Sequence, residues 1–111
     1  MSAVPFKTKG YLFPVDLGLR IRVQLEIDGT GTQRFAVSLE HEWEPDDWRR
    51  IVCWDNWGGH MHRDLYRPDG SDEKHHERHF HSDDVDQCIK WAKEDLMKNG
   101  RRYVSLFRKQ R

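Results

Sequence analysis

The clearest pattern in the chain is a strict alternation of apolar and polar residues over positions 19 to 27. The apolar residues fall on every second position, at Ile21, Val23, Leu25 and Ile27. A period of two places them on one face of a half-buried strand. The same period resumes over 34–43 after a turn that contains two glycines. We therefore predict a β-hairpin, because Asp-Gly and the second glycine supply the positive φ that a chain reversal needs.

Three further segments also predict strands. The stretch "EPDD" interrupts the pattern, and "WRRIVCWD" at 48–55 then reads as a third strand. A fourth strand is predicted over 60–66 and ends at "RPDGS", where Pro68 presets φ and Gly70 closes a turn. A fifth, weaker strand is predicted over 73–80.

The period changes to that of a helix after residue 82. Ser82 to Asp84 offer N-cap oxygens, and Asn99-Gly100 predicts a C-cap. The segment 101–108 then predicts a last strand. The apolar positions between the two caps follow i, i+3, i+4 spacing, and they are Val85, Cys88, Ile89, Ala92 and Leu96.

Strands followed by one helix and a final strand predict an α+β fold. We expect a single antiparallel sheet of about five to six strands, with the C-terminal helix packed on one face and followed by the last strand. The other face of the sheet would be partly free to bind a ligand. A length of 111 residues suits a single domain over 1–111.

Charge is balanced overall but uneven along the chain. The net charge is zero with neutral histidines, so a protein-wide basic field for nucleic acid is absent. Residues 98–111 carry six Lys and Arg and no acid, whereas 40–47 carry five acids and no Lys or Arg. These segments are either partner-binding or simply solvated. The predicted partner-binding residues are Trp57, Arg101, Arg102 and Arg108.

Neither the cysteines nor the hydropathy indicate export. Cys53 and Cys88 match no metal-site spacing, and the N-terminus lacks the apolar core of a signal peptide. No apolar run approaches the length of a membrane span. We predict a cytoplasmic protein without membrane association, in which both thiols are reduced and packed as small hydrophobic side chains.

The candidate chemistry lies in "CWDNWGGHMHRD", residues 53–64. If the segment from residue 60 is extended, His60 and His62 share one face with Cα atoms roughly 6.5 to 7 Å apart. Two imidazoles so placed can share a metal, or act as general base and acid. Asp55 can orient one ring, Asn56 can donate a hydrogen bond to a substrate oxygen, and Arg63 can neutralise a phosphate.

A second histidine-rich stretch, "KHHERHFH", follows in the predicted fifth strand. Six of the seven histidines thus fall on one predicted hairpin. One interpretation is a zinc or other transition-metal site. The alternative is a solvated edge strand whose charges discourage pairing with other chains, with no cofactor at all. The predicted ligands of such a metal are His60, His62, His76 and His79.

The segment "VCWDNWGGHMHRDLYRPDG", followed by a helix ending in "AKEDLMKNG", resembles the TumE-like toxin family and related small proteins. The resemblance covers roughly residues 19 to 105. The motif pairs an aromatic-Asp-Asn element with a Gly and a His-x-His, and its matching residues are Asp55, Asn56, Gly59, His60 and His62.

This resemblance implies the toxin half of a toxin–antitoxin operon, neutralised by a DNA-binding antitoxin. Toxins of this kind are small cytoplasmic proteins that attack RNA or translation. The family pattern has Tyr before the Asp and often a His before the Gly, whereas this chain has Trp54 and Trp57-Gly58 there. If the Tyr or that His carried catalysis, this chain would be divergent or inactive.

Three functions stay open on the sequence alone. The first is a metal-independent ribonuclease that uses His60 and His62, with Asp55 orienting one of them. The second is a non-catalytic module that binds protein or nucleic acid. The third is a transition-metal site. An antitoxin and RNA are the predicted partners of the first, and the chain is compatible with a monomer or a homodimer.

Overall fold

The computed structural model describes residues 7–76 and 83–109. Their elements, in chain order, are six strands and two helices, the first of them a short 3-10 helix that we label η1. The bounds are β1 Lys7–Asp16, β2 Leu19–Asp28, β3 Gly31–Glu44, β4 Asp47–Asp55, η1 Trp57–Gly59, β5 His62–Tyr66, β6 Asp72–His76 and α1 Val85–Lys109.

The strands form one antiparallel sheet in the order β1-β2-β3-β4-β5-β6. The prediction of an α+β fold with a single antiparallel sheet is confirmed. The predicted strands from residue 19 to residue 66 correspond to β2–β5, and the fifth corresponds to β6 as far as residue 76. Residues 77–80 of that prediction lie outside the described part of the chain.

Strand β1 is an element that the sequence pattern did not predict. It pairs with β2 from Lys7 to Asp16, with an irregularity between Pro14 and Asp16. Gly10 and Pro14 interrupt any clean alternation, yet proline is tolerated at the edge of a sheet, where its missing N–H leaves no neighbour unpaired. The sheet therefore has its sixth strand at the N-terminal edge.

The predicted last strand over 101–108 is wrong, because these residues continue α1 to Lys109. The helix begins as expected, since Oδ1 of Asp84 accepts hydrogen bonds from the backbone N–H groups of Asp86 and Gln87. Tyr103 and Phe107 are four residues apart and extend the apolar stripe instead of ending it. The buried positions of α1 are Cys88, Ile89, Ala92, Leu96, Gly100, Tyr103 and Phe107.

Gly100 lies inside the helix and is not the C-cap that its position predicted. A Cβ at this site would lie 3.4 Å from Cδ1 of Leu19 and 3.9 Å from Cδ2 of Leu39. The glycine thus lets α1 approach β2 and β3 closely. Buried side chains of α1 and of β2–β4 form one hydrophobic core.

The sheet has two chemically different faces. Trp54 and Arg63 contact side chains of α1, and they alternate with Asp55, His62 and Asp64, which project from the opposite face. We call this opposite side the polar face. It carries buried polar residues, since Ser38 is 2% exposed and Glu40 is 9% exposed. The candidate site lies on this polar face.

Candidate functional site

The centre of the site is a cross-strand pair between the end of β4 and the start of β5. Asp55 and His62 are register partners. Nε2 of His62 lies 2.8 Å from Oδ1 of Asp55, and the two side chains are 5% and 13% exposed. The predicted orientation of an imidazole by Asp55 is thus present in the structure, and it applies to His62.

The other nitrogen of His62 is also engaged. Nδ1 lies 3.1 Å from the backbone carbonyl oxygen of His60, so the carbonyl accepts a hydrogen bond from Nδ1–H. Nε2 faces the carboxylate of Asp55, so both ring nitrogens of His62 have a hydrogen-bonding partner. If a cation bound at Nε2, the same Nδ1–H bond would present a neutral Nε2 lone pair.

Asp55 and Asn56 also shape the loop between β4 and β5. Oδ1 of Asp55 accepts a hydrogen bond of 2.8 Å from the backbone N–H of Trp57. The Asn56 amide bonds the backbone of β3 at both ends, accepting from the N–H of Phe35 and donating to the carbonyl of Gln33. Asn56 therefore fixes the loop on β3, whereas we expected it to bond a substrate oxygen.

Two glycines reverse the chain in this loop. Gly58 and Gly59 have φ values of 81° and 92°, which residues with a side chain rarely adopt. After them His60 returns to an extended conformation, with φ −126° and ψ 144°. The loop therefore leaves η1 by a turn that favours glycine at both positions.

The loop exposes two of the predicted site residues. His60 is exposed, in contrast to the buried His62. Trp57 is 58% exposed, and the guanidinium of Arg34 stacks on its indole ring with Cζ 4.4 Å from the ring centroid. The two histidines of the motif thus differ in environment. Of the two, only His60 is an exposed residue.

Asp64 adds a group to the site that the sequence analysis missed. One ligand atom each from Asp55, His62 and Asp64 lies within 4.8 Å of the others. The signal was available in the sequence, because residues 62 and 64 alternate onto the same face of a strand. Two carboxylates and an imidazole form a donor set that suits a divalent cation such as zinc.

The predicted histidine metal site stays a prediction, because the side chains of His76 and His79 lie outside the part of the chain that the structure describes. His60 is exposed, and the grouping that includes His62 contains two aspartates instead. The backbone of His76 pairs with that of His62 across β5 and β6. His79 lies outside the described residues.

Cys53 and Glu40 show how burial acts on other groups of the polar face. Burial raises the pKa of the Cys53 thiol to about 11, so it stays protonated and is not a ready nucleophile. Burial would also raise the pKa of Glu40, but hydrogen bonds from Arg22 and Arg20 outweigh it, and the net shift is downward. The two bonds measure 2.8 and 2.6 Å.

Arg63 lies on the helix side of the sheet, away from His62. Its Nη1 donates a hydrogen bond of 2.9 Å to the hydroxyl of Tyr103, which in turn donates one of 2.6 Å to Asp95. Burial, with the hydrogen bond to Asp95, raises the pKa of Tyr103. Trp54 also donates to Asp95, at 2.8 Å. The predicted phosphate contact of Arg63 therefore does not lie beside the imidazole of His62.

The C-terminal arginines make different contacts. Arg101 bonds Asp16 and the carbonyl of Leu17, and so ties α1 to the turn between β1 and β2. Arg108 donates to Nε2 of His41 from both Nε and Nη2. Arg102 is exposed and lines a cavity of about 250 Å³ together with Arg63. Of the three arginines that we predicted to bind a partner, Arg101 and Arg102 are exposed and Arg108 is half-buried.

The comparison with known families places these residues within one domain. A family described as a domain of unknown function, DUF7718, matches residues 6–111. The chain belongs to the DUF7718 family. The match includes every predicted site residue. No curated protein and no solved structure is significantly similar to this DUF7718 protein.

The family description names no activity, so the geometry of the site is the basis for a proposed function. Both cysteines of the DUF7718 chain are buried thiols with no disulfide between them, as predicted. In the described part of the chain, no helix combines the length and apolar character that a membrane span needs.

Proposed function

We propose that this DUF7718 protein is a small toxin-like ribonuclease that cleaves RNA without a metal ion, with His60 as its acid–base residue. The observation that carries the proposal is the buried Asp55–His62 pair, 2.8 Å long, directly beneath the exposed loop. Asp55 holds the imidazole of His62, and that imidazole in turn bonds the backbone carbonyl of His60. Asp55 and His62 are positioning residues in this proposal.

The chemistry is transfer of the phosphate to the ribose 2′-oxygen. His60 takes the proton of the 2′-hydroxyl, and the oxygen attacks the phosphorus. The bond from phosphorus to the 5′-oxygen breaks, and a water molecule supplies a proton to that oxygen. The products are a 2′,3′-cyclic phosphate and a 5′-hydroxyl. Arg34, with its side chain 52% exposed beside Trp57, is placed to neutralise charge on the phosphate.

The biological setting follows from the resemblance to TumE-like toxins. We propose a cytoplasmic toxin that a cognate antitoxin neutralises by covering the loop at 56–61. Arg102 is an exposed cation in the C-terminal half of α1, and its charge suits an acidic segment of such a partner.

Incubation of the purified protein with single-stranded RNA in excess chelator tests the proposal. We expect fragments with 5′-hydroxyl and 2′,3′-cyclic phosphate ends, and loss of cleavage in His60→Ala. The matched control is Lys98→Ala, which removes an exposed cation from α1. A stable protein that binds RNA without cleaving it would contradict the ribonuclease and favour the non-catalytic binding module.

A second candidate function is a divalent metal site formed by Asp55, His62 and Asp64. The observation that favours it is the convergence of their three ligand atoms to within 4.8 Å, with His62 held by the carbonyl of His60. Zinc binds imidazole and carboxylate at about 2.0 to 2.2 Å. Two ligand atoms at these distances from one zinc ion lie slightly more than 2.8 Å apart. Zinc binding would therefore require the contact between Asp55 and His62 to lengthen only slightly.

Titration calorimetry with Zn²⁺ and Mn²⁺ distinguishes the two candidates. A metal site predicts one equivalent bound, with binding lost in Asp64→Asn and retained in Asp72→Asn. Absence of binding in the folded protein would remove this candidate and leave the metal-independent one.

A further inference from the structure

A cavity of about 190 Å³ opens beside the loop that carries Trp57. It lies over β1, β2 and β3. The residues that matter for its chemistry are Thr8, Gln24, Glu26, Arg34, Ala36 and Trp57. The cavity thus combines one large aromatic ring with a carboxylate, an amide and a guanidinium.

The register of the sheet connects this cavity to the candidate site. Gln24 pairs with Ala36, Ala36 pairs with Asp55, and Asp55 pairs with His62. These residues form one cross-strand row on the polar face. Neighbouring strands lie about 4.8 Å apart, so the cavity floor at Ala36 is one strand away from Asp55. The small Ala36 side chain leaves room above the sheet between Gln24 and Asp55.

Trp57 gives the cavity an aromatic wall that is already held in place. Arg34 stacks on its indole ring, and Nη1 of Arg34 lies 3.8 Å from Oε2 of Glu26. The backbone of Trp57 is fixed by its hydrogen bond to Asp55. Such an arrangement suits a planar ligand, because exposed indole rings stack on nucleobases and a neighbouring arginine adds a cation near the phosphate.

We propose that this cavity is a subsite for the base of a guanine nucleotide in single-stranded RNA. The base takes the place of the Arg34 guanidinium on the indole ring of Trp57, which frees Arg34 for the phosphate, and its adjacent N1–H and N2–H donors face the carboxylate of Glu26. Guanine is the base whose edge offers two neighbouring donors to one carboxylate. Gln24 lies in the same cavity and provides an amide for the remaining base atoms.

This inference rests on the proposed ribonuclease function. Gln24, Ala36 and Asp55 form one row that ends at the loop carrying His60. With the base in the cavity, the adjoining phosphate would lie near that loop. It explains why an exposed tryptophan lies next to the Asp55–His62 pair. It also gives Glu26 and Arg34 defined tasks, in base recognition and in phosphate neutralisation.

Fluorescence anisotropy with labelled 2′-O-methyl oligonucleotides tests the subsite, because these strands lack the free 2′-hydroxyl and are not cleaved. We expect a G-rich strand to bind at least tenfold more tightly than an A-rich strand of equal length. Trp57→Ala should weaken binding of both strands about tenfold or more. Glu26→Gln should remove the preference for guanine and largely retain binding.

The controls are Leu17→Ala, an exposed apolar residue at 88% exposure, and Glu94→Gln, an exposed acid on α1. Neither should change binding. Equal binding of all strands by the wild type, or unchanged binding in Trp57→Ala, would overturn the subsite. Guanine-selective binding by a protein that never cleaves RNA would retain the subsite and contradict the ribonuclease. Cleavage of RNA without base preference would retain the ribonuclease and contradict the subsite.

Discussion

Asp55 and His62 face each other across the register position at which β4 and β5 separate into the loop, with Oδ1 and Nε2 2.8 Å apart. The same carboxylate oxygen accepts the N–H of Trp57, and the same imidazole donates to the carbonyl of His60. One buried pair thus holds both ends of the loop. The exposed residues of the loop depend on it for their positions.

Replacement of Asp55 by Asn should destabilise the protein. The change removes a charge-assisted hydrogen bond from a largely buried imidazole, and we expect a loss of about 1.5 to 3 kcal/mol in the free energy of unfolding. Urea unfolding monitored by circular dichroism measures it. Asp47→Asn is the matched control, because the Asp47–Arg49 pair is 41% and 38% exposed and should contribute much less. Equal effects of the two variants would contradict the account.

Gly100→Ala should stabilise the protein by about 0.5 to 1 kcal/mol, because alanine has the higher helix propensity. The new Cβ would lie 3.4 Å from Cδ1 of Leu19 and 3.9 Å from Cδ2 of Leu39, which are van der Waals contacts. Gly100→Leu should destabilise, since a larger side chain has no room there. Thermal unfolding of both variants measures this. If Gly100 were a C-cap with positive φ, Gly100→Ala would instead lower the melting temperature.

His41 should make stability fall as the solution becomes acidic. Burial lowers the pKa of His41 below 6.5, and the charge of Arg108 acts in the same direction, although the bond to the Gly18 carbonyl opposes them. The unfolded chain then binds the proton more readily. The contribution of neutral His41 is therefore present above about pH 6.5 and is lost as pH falls towards the folded-state pKa.

The comparison of wild type with His41→Gln isolates this effect. Nε2 of His41 accepts from Arg108 at 3.1 and 2.8 Å, so a proton there would displace both bonds. Unfolding free energies measured between pH 7.5 and pH 5 should decline less steeply in the variant. A variant slope equal to that of the wild type would show that His41 does not contribute.

Tyr103→Phe should cost about 1 to 3 kcal/mol of stability, because it leaves Asp95 and Arg63 without the hydroxyl that joins them. Chemical unfolding gives the value. Tyr11→Phe is the control, since Tyr11 is 42% exposed on β1 and should change stability little. A neutral Tyr103→Phe would mean that the network on the helix side adds no net stability.

The parts of the fold that could be predicted are those with an unambiguous period. The alternation over 19–27 defined β2, and the stripe from Cys88 to Leu96 defined the first half of α1. The end of α1 was predicted wrongly at Gly100, because a glycine near the end of a helical pattern resembles a C-cap. Here the helix continues through Gly100, which packs close to Leu19 and leaves room for only a small side chain.

The candidate site was predicted in its residue types but not in its geometry. Asp55 and His62 are in contact, as expected. Strand alternation places Arg63 on the other face of the sheet, where it contacts Tyr103. Asp64 was not predicted as a site residue, although strand alternation places it on the same face as His62, two residues further along β5. The difference in burial between His60 and His62 depends on where the loop lies relative to the sheet, which no local sequence pattern reveals.

The most direct test of the central claim is the rate of RNA cleavage by His60→Ala relative to wild type, in chelator, with both proteins shown to be folded. A general base contributes about 10² to 10⁴ in rate, so the account predicts a loss of at least about a hundredfold. An unchanged rate in the folded variant would contradict the assignment of acid–base chemistry to His60.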